Sequence, residues 1–203
     1  MEQSGFKVYS WDDVLYARIA EAKNGTALTI GSFDGPHRGH QVLFAAVLNE
    51  KAYTPGVVTF AVPPPALKEP ARFPGLLSTL PERLAFFKES RFAFAAVIDF
   101  SLEFSKMAGE VFLSCLQKNC NMRFLAEGKG FRCGFRGETD MVKIRRIAQR
   151  AGFRVLTAEP VLYGGEPISS SRIRLAIETG KLTDASEMLG RPASSALKRV
   201  GWH

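Results

Sequence analysis

The sequence predicts an α/β fold: an open, mostly parallel sheet of five to six strands with helices on both faces. Three observations predict it. Short apolar runs recur along the chain at Ala27 to Ile30, Val57 to Phe60, Phe94 to Ile98, Met122 to Ala126 and Arg154 to Ala158. Between them lie amphipathic segments of about ten to fifteen residues, the alternation that produces βαβ units and a parallel sheet. Finally, Val57 Val58 Thr59 Phe60 reads as a strand buried on both faces, the kind a helix-covered parallel sheet contains.

The remaining elements follow in order. Residues 7 to 19 read as a short strand and an early helix, with Ser10 capping Trp11 Asp12 Asp13. A helix from His37 to about Lys51 is expected to turn Val42, Leu43, Ala46 and Val47 inward. Tyr53 Thr54 Pro55 Gly56 reads as a turn, and Pro63 Pro64 Pro65 argues for a loop from Ala61 to Leu77 over the strand ends. Thr79 and Glu82 have capping-box spacing and open a helix through about Glu89. A further helix is expected from about Ser105 through Gln117, with Met107, Val111, Phe112 and Leu116 spaced for burial. Gly128 to Gly137 reads as a glycine-rich loop, and Asp140 to Ala151 as a basic amphipathic helix. Gly164 Gly165 is a hairpin-type turn, Ser169 opens a helix through Glu178, and Thr183 to Leu189 forms a last short helix.

A chain of 203 residues suits one sizeable domain, taken as 1–190, with a short tail at 191–203. Hydrophobic content of 46% with 23% charged residues is that of a soluble globular protein. No apolar run reaches the 18 residues of a membrane span, and Met1 to Asp13 lacks the basic and apolar regions of a secretory signal, so a cytoplasmic location is expected. The excess of 27 Lys+Arg over 20 Asp+Glu invites a polyanion. Lys143, Arg145, Arg146, Arg150 and Arg154 supply much of it, with Lys198 and Arg199 near the end. A solvated helix face is the plainer account, nucleotide phosphates absorb part of the excess, and nucleic acid ranks last. Cys115, Cys120 and Cys133 match no zinc spacing and read as reduced, mostly buried thiols, so no metal ligand set is assigned.

The chemistry concentrates in Gly31 Ser32 Phe33 Asp34 Gly35 Pro36 His37 Arg38 Gly39 His40. This is a tight turn between a strand and a helix, at the strand end where ligands of open α/β sheets bind. His37 and His40 are three apart and share a face if both lie on the first helical turn. The helix start adds free N–H groups and the positive end of a dipole, and together these make a phosphate site. Asp34 either organises a metal or a histidine, or forms an Asx turn. A P-loop is excluded, because Gly128 Lys129 Gly130 lacks both the spacing and the hydroxyl residue, and no GxGxxG links a strand to a helix.

The motif resembles the Gly-Asn-Phe-Asp-Gly-x-His-x-Gly-His signature of the FAD synthetase family, the FMN adenylyltransferase module of bacterial bifunctional riboflavin kinase/FAD synthetases. Ile168 Ser169 Ser170 Ser171 Arg172 Ile173 Arg174, about 130 residues later, is similar to that family's Ile-Ser-Ser-Thr-Arg-Ile-Arg. The resemblance, from about Ala27 to Pro192, implies a Rossmann-like domain that transfers AMP from ATP to FMN, with Mg²⁺ on the phosphates and pyrophosphate leaving. It implies catalytic roles for His37, His40 and Arg174, the last clamping the γ-phosphate. Gly31, Ser32, Phe33, Asp34, Gly35, Gly39, Ser170 and Ser171 would line the nucleotide site, with Phe60 and Phe131 stacking on the flavin. One serine suffices as a helix cap, and the family motif gives a use to all three.

The chain departs from the family on the flavin side. Where the family reads Thr-Phe-Asp-Pro-His-Pro, this chain has Thr59 Phe60 Ala61 Val62 Pro63 Pro64, and Gly130 replaces an Asp or Asn. Leu189 Gly190 Arg191 Pro192 resembles the junction to the riboflavin kinase module, but only eleven residues follow, so that module is expected to be absent. An adenylyltransferase for another phosphate acceptor, or a catalytically weak nucleotide- or flavin-binding relative with a regulatory role, are the alternatives.

Overall fold

The computed structural model describes residues 5–16 and 19–198; of the predicted tail, 199–203 lie outside them. Strand β1 (Lys7–Ser10) runs directly into α1 (Trp11–Tyr16). Ser10 caps α1 as predicted: its N–H and hydroxyl donate to Asp13 at 2.8 and 2.7 Å, and the Asp13 N–H donates to Ser10 Oγ at 3.1 Å.

A 3₁₀ turn at Ala20–Asn24 leads to β2 (Thr26–Ile30), and α2 (Arg38–Asn49) follows the histidine turn. Leu43, Phe44 and Val47 form its buried stripe, whereas Val42, expected inside, is 40% exposed. Successive helical residues are rotated by about 100°, and the stripe centred on Phe44 and Val47 leaves Val42 at its margin. Strand β3 (Thr54–Phe60) begins inside the segment expected to be a turn. Gly56 is there for packing rather than for turning: a Cβ would overlap the Phe94 ring and come within 2.8 Å of Leu28 Cδ2.

The expected loop after β3 contains α3 (Pro64–Lys68) and a 3₁₀ turn at Pro70–Arg72. Pro64 and Pro65 occupy the first helical positions, where no N–H is needed and the fixed φ is already helical. The predicted capping box opens α4 (Leu80–Glu89), with Thr79 N–H donating to Glu82 at 2.8 Å. After β4 (Phe94–Ile98) the single helix expected from Ser105 is two, α5 (Leu102–Ser105) and α6 (Gly109–Asn119). Ser101 caps the first, accepting from Phe104 N–H at 3.0 Å, and Leu113 rather than Val111 is buried on the second.

Strand β5 (Met122–Gly128) precedes the glycine-rich stretch, which contains a small antiparallel pair, β6 (Arg132–Cys133) and β7 (Thr139–Asp140). Asp140 caps α7 (Met141–Ala151), donated to by Lys143 N–H at 3.0 Å. Then come β8 (Arg154–Ala158), the Gly164 Gly165 hairpin of β9 (Leu162–Tyr163) and β10 (Glu166–Pro167), α8 (Ser170–Glu178) and α9 (Leu182–Leu189). The three cysteines are free thiols, Cys120 buried and the others half-buried.

Six strands form one parallel sheet in the order β1-β4-β3-β2-β5-β8. Helices cover both faces. Leu28, Val58, Phe94 and Leu125 pack on one side against Trp11, Phe112, Leu116 and Ile144, while Ala27, Val57, Ala95 and Phe124 pack on the other against Phe44, Val47 and Phe87. A separate cluster of Ile173, Ile177, Ala185 and Met188 joins α8 to α9. The chain steps outward from β2 through β3 to β4, then returns to place β5 on the other side of β2. That reversal makes the C-terminal end of β2 a topological switch point, where a crevice opens.

Candidate active site

Pairing between β2 and β5 runs through Leu28 and Leu125, so the N–H of Ile30 has no ladder partner on that side. The Glu127 carboxyl accepts it at 2.6 Å. Glu127 is 1% exposed, and burial pushes its pKa well above the ordinary carboxylate value. On the β3 side, Arg83 of α4 is fully buried. It donates to the carbonyls of Ser32, Phe60 and Ala61 at 2.8, 2.8 and 2.9 Å and to Thr59 Oγ1 at 2.9 Å. Burial lowers its pKa to about 10, which leaves it charged at neutral pH. Sequence reasoning missed both residues. Arg83 had a signal, since it lies on the α4 stripe shared with Leu80 and Phe87 at helical spacing.

Gly31 leaves β2, and Gly35 takes φ +60, where a Cβ would also approach Leu77 Cβ to 2.6 Å. Phe33, expected to touch the nucleotide, is 2% exposed and lies beneath the site. It holds φ 47, sparsely populated for a side chain of its size. Its ring meets His40 edge to face at 5.1 Å and Phe44 and Phe87 at 5.0 and 6.0 Å, contacts that hold the backbone in this conformation.

His37 is the N-cap of α2 rather than a member of its first turn, with extended backbone and Nδ1 accepting the His40 N–H at 3.3 Å. The two rings still share a face, stacked at 3.5 Å with 17° between planes. Burial pushes His37 down to about 4, aided by the positive charge of Arg191. Burial pushes His40 well below 6.5 also, with the charges of His37 and Arg191 adding to it. Both imidazoles are neutral at pH 7. Because Nδ1 of His37 is the acceptor, its proton sits on Nε2, which is left as a donor. His40 Nδ1 is buried without a partner. Gly39 lies close enough that a Cβ would come within 3.2 Å of the His37 ring.

Among the described residues Asp34 bonds to Arg174, Ser78 and Leu77 and to no histidine. It is 2% exposed, ion-paired with Arg174, and accepts from Ser78 N–H, Ser78 Oγ and Leu77 N–H at 2.8, 3.2 and 3.2 Å. Arg174 is correspondingly committed: Nε donates to the Gly75 carbonyl at 2.8 Å and the guanidinium lies 4.9 Å from the Phe73 ring centroid. Of the three serines, Ser169 is the cap of α8, Ser170 donates to the Asp34 carbonyl at 2.9 Å, and Ser171 is exposed. Ser171 and Arg174 line a groove of about 430 Å³ with Lys68 and Arg72.

An aromatic cleft of about 330 Å³ opens beside the turn, reaching Gly31 and Ser32 and walled by Phe60, Phe100, Phe104 and Phe131. Phe60 and Phe131 are thus together, as predicted, whereas the histidines lie outside this cleft and His37 is only 4% exposed. Ala61 contributes backbone alone, its N–H going to Ile98 O at 2.9 Å. Gly130 has open space around a would-be Cβ, so nothing in the fold requires glycine there. Among the described residues no group of three or more His, Cys, Asp or Glu is placed to hold a metal ion. No helix there is long and apolar enough to cross a membrane.

A family model described as FAD synthetase matches residues 19–172. The bifunctional riboflavin kinase/FMN adenylyltransferase of Escherichia coli (strain K12) is 32% identical over 174 residues, 84% of this chain and 56% of that protein. The chain thus spans about half the length of that relative. A putative protein of the same description from Geobacillus thermodenitrificans (strain NG80-2) is 34% identical over 175 residues, 84% of this chain and 93% of that protein. Among solved structures, one described as a macrolide-efflux protein from Streptococcus pneumoniae superposes with a TM-score of 0.74 at 24% identity, covering 92% of this chain and 60% of that one; it shares the fold.

Proposed function

The chain belongs to the FAD synthetase family, and from that premise we propose that it is an ATP:FMN adenylyltransferase. An oxygen of the FMN phosphate attacks the α-phosphorus of ATP, the bond from that phosphorus to the β-bridging oxygen breaks, and FAD and pyrophosphate leave. The FMN phosphate is ionised at neutral pH, so the protein supplies positioning and charge stabilisation rather than a strong base. The observation that carries this reading is the stacked, neutral His37–His40 pair at the start of α2, next to an aromatic cleft that reaches Gly31 and Ser32.

In this reading the Nε2–H of His37, His40 and the free N–H groups of α2 stabilise charge on the α-phosphoryl oxygens and the departing pyrophosphate. Ser171 faces the polyphosphate, while Ser170 and Arg174 fix the turn through Asp34. Among the described residues magnesium finds no carboxylate cluster, since Asp34 is paired with Arg174, and it would enter on the ATP phosphates themselves. Phe60 and Phe131 would hold the isoalloxazine by stacking. The polar side chains absent at Ala61, Pro63 and Gly130 lower FMN affinity, each lost hydrogen bond costing about 0.5–1.5 kcal/mol.

Those three positions favour a second reading, a nucleotidyltransferase for a different phosphate acceptor. One experiment decides between them. The protein is incubated with ATP, magnesium and FMN, and FAD and pyrophosphate are measured by chromatography, with calorimetric titration of ATP and FMN separately. FAD formation is expected, with FMN the weaker ligand. ATP binding without FMN binding or FAD formation would select the other acceptor.

A further inference from the structure

Arg174, the arginine that the sequence motif offers to the polyphosphate, is occupied by Asp34 and the Gly75 carbonyl. A different arginine stands at the histidine turn. Gly190, in the left-handed conformation at φ 73, ends α9 and turns the chain back over the start of α2. The end of α9 is docked there: Gln41 Nε2 donates to the Leu189 carbonyl at 3.4 Å and Arg38 Nη1 to the Glu187 carbonyl at 3.5 Å. The next residue, Arg191, donates through Nη1 to the Pro36 carbonyl, immediately before His37, and its guanidinium lies 5.6 Å from the Phe86 ring centroid.

Arg191 is half-buried, and among the described residues no carboxylate lies in salt-bridge contact with it. The nearest acidic influence, Glu82, is paired with Lys198 and caps α4. Among the described residues the Nε and Nη2 donors of Arg191 carry no hydrogen bond, yet neither is sealed from solvent. Its charge bears on both His37 and His40. A guanidinium held rigid by a carbonyl and an aromatic face, with two free donors and an unanswered charge beside the histidine pair, is built to receive an anion.

Resting on the adenylyltransferase reading, we propose that Arg191 is a polyphosphate-binding residue of this site, donating through Nε and Nη2 to the phosphate chain of ATP and to the departing pyrophosphate. The segment after α9 is then part of the nucleotide site rather than a tail. Arg191 takes the role that the sequence assigns to Arg174, and Arg174 positions the turn from behind.

The test compares wild type, Arg191→Gln and Arg191→Lys by calorimetric titration with MgATP and with inorganic tripolyphosphate, with FMN binding followed by fluorescence quenching. Arg191→Gln is expected to weaken MgATP and tripolyphosphate about tenfold to a hundredfold while FMN stays within twofold. Arg191→Lys, which keeps the charge but loses the planar fork, is expected to fall between, and it carries the test if the glutamine variant does not fold. Arg191→Gln binding MgATP within twofold of wild type overturns the proposal, as does an equal loss of MgATP and FMN affinity, the mark of a purely structural clamp. A wild-type protein that binds no MgATP overturns the adenylyltransferase reading itself, and this inference with it.

Discussion

Replacing Arg174 by Met isolates what the pair with Asp34 contributes. Asp34 is 2% and Arg174 8% exposed, so the substitution strands a buried carboxylate and also removes the 2.8 Å donor to the Gly75 carbonyl. Breaking a buried pair from one side typically costs about 3–5 kcal/mol. Asp34 keeps the Ser78 and Leu77 donors at 2.8 to 3.2 Å, which places the expected loss at the lower end, about 3 kcal/mol. Against a total stability of about 5–15 kcal/mol that is a large fraction. It corresponds to a fall in Tm of about 6–12 °C for a chain of this length. Urea unfolding followed by circular dichroism at pH 7, with thermal melts alongside, measures it. The double variant Asp34→Asn/Arg174→Met removes the stranded charge and is expected to be more stable than Arg174→Met alone. A loss below about 1 kcal/mol, or a double variant less stable than the single one, would refute the argument that burial makes this pair costly to break.

Three further outcomes are expected. His37→Asn keeps an acceptor for the His40 N–H and so preserves the cap, but loses the imidazole donor; pyrophosphate release should fall about 10²-fold or more with the fold intact, and a near-normal rate would remove His37 from the mechanism. His37 has its pKa lowered from 6.5 to about 4, so below pH 6.5 the unfolded chain takes up the proton first. The stability its neutral form provides is complete above pH 6.5 and is lost progressively toward pH 4, about 3 kcal/mol in all; urea unfolding at pH 7 and pH 5 should show the decline, and His37→Asn should flatten it. Gly56→Ala should destabilise the sheet by about 1–3 kcal/mol or more through overlap with Phe94, and Phe94→Leu in the same chain should recover part of the loss; an unchanged midpoint for Gly56→Ala would show that the strand relaxes around the new methyl group.

Local chemistry made much of the fold readable from the sequence. Capping at Ser10, Thr79, Asp140 and Ser169 involves residues three apart, and each of these helix starts lies at or within a residue of where the spacing places it. The misplaced elements turn on contacts distant in sequence. Gly56 reads as a turn residue until Phe94 is known to lie against it, and the helix of Pro64 and Pro65 is invisible to a rule that treats proline only as a breaker. The histidine pair and the serine run were legible because each motif is short, whereas Phe60 and Phe131, far apart in the chain, came only from the family resemblance. What Arg174 binds was not, because its partner lies 140 residues away and a motif records residue types rather than which way a side chain turns. Arg191 reads as the start of a tail, Arg83 lies unremarked within a predicted helix, and Glu127 falls between a predicted strand and loop, until burial is known.

The bonds that close the histidine turn join the early chain to its late part: Asp34 to Arg174 across 140 residues, and Pro36 to Arg191 across 155. At a ribosomal rate of about 5–20 residues per second, Arg174 is made about 7 to 28 s after Asp34. By the time Arg174 is made, β2, β3, β4, β5 and β8 have all been synthesised without the arginine that pairs with Asp34. The strands of the sheet are therefore made before the two arginines that close the turn. A nascent chain that has just completed β8 holds both histidines and the whole parallel sheet, yet has neither the guanidinium behind the turn nor the one beside it. The last elements to be made, α8, α9 and the segment that carries Arg191, are thus the ones that close the histidine turn.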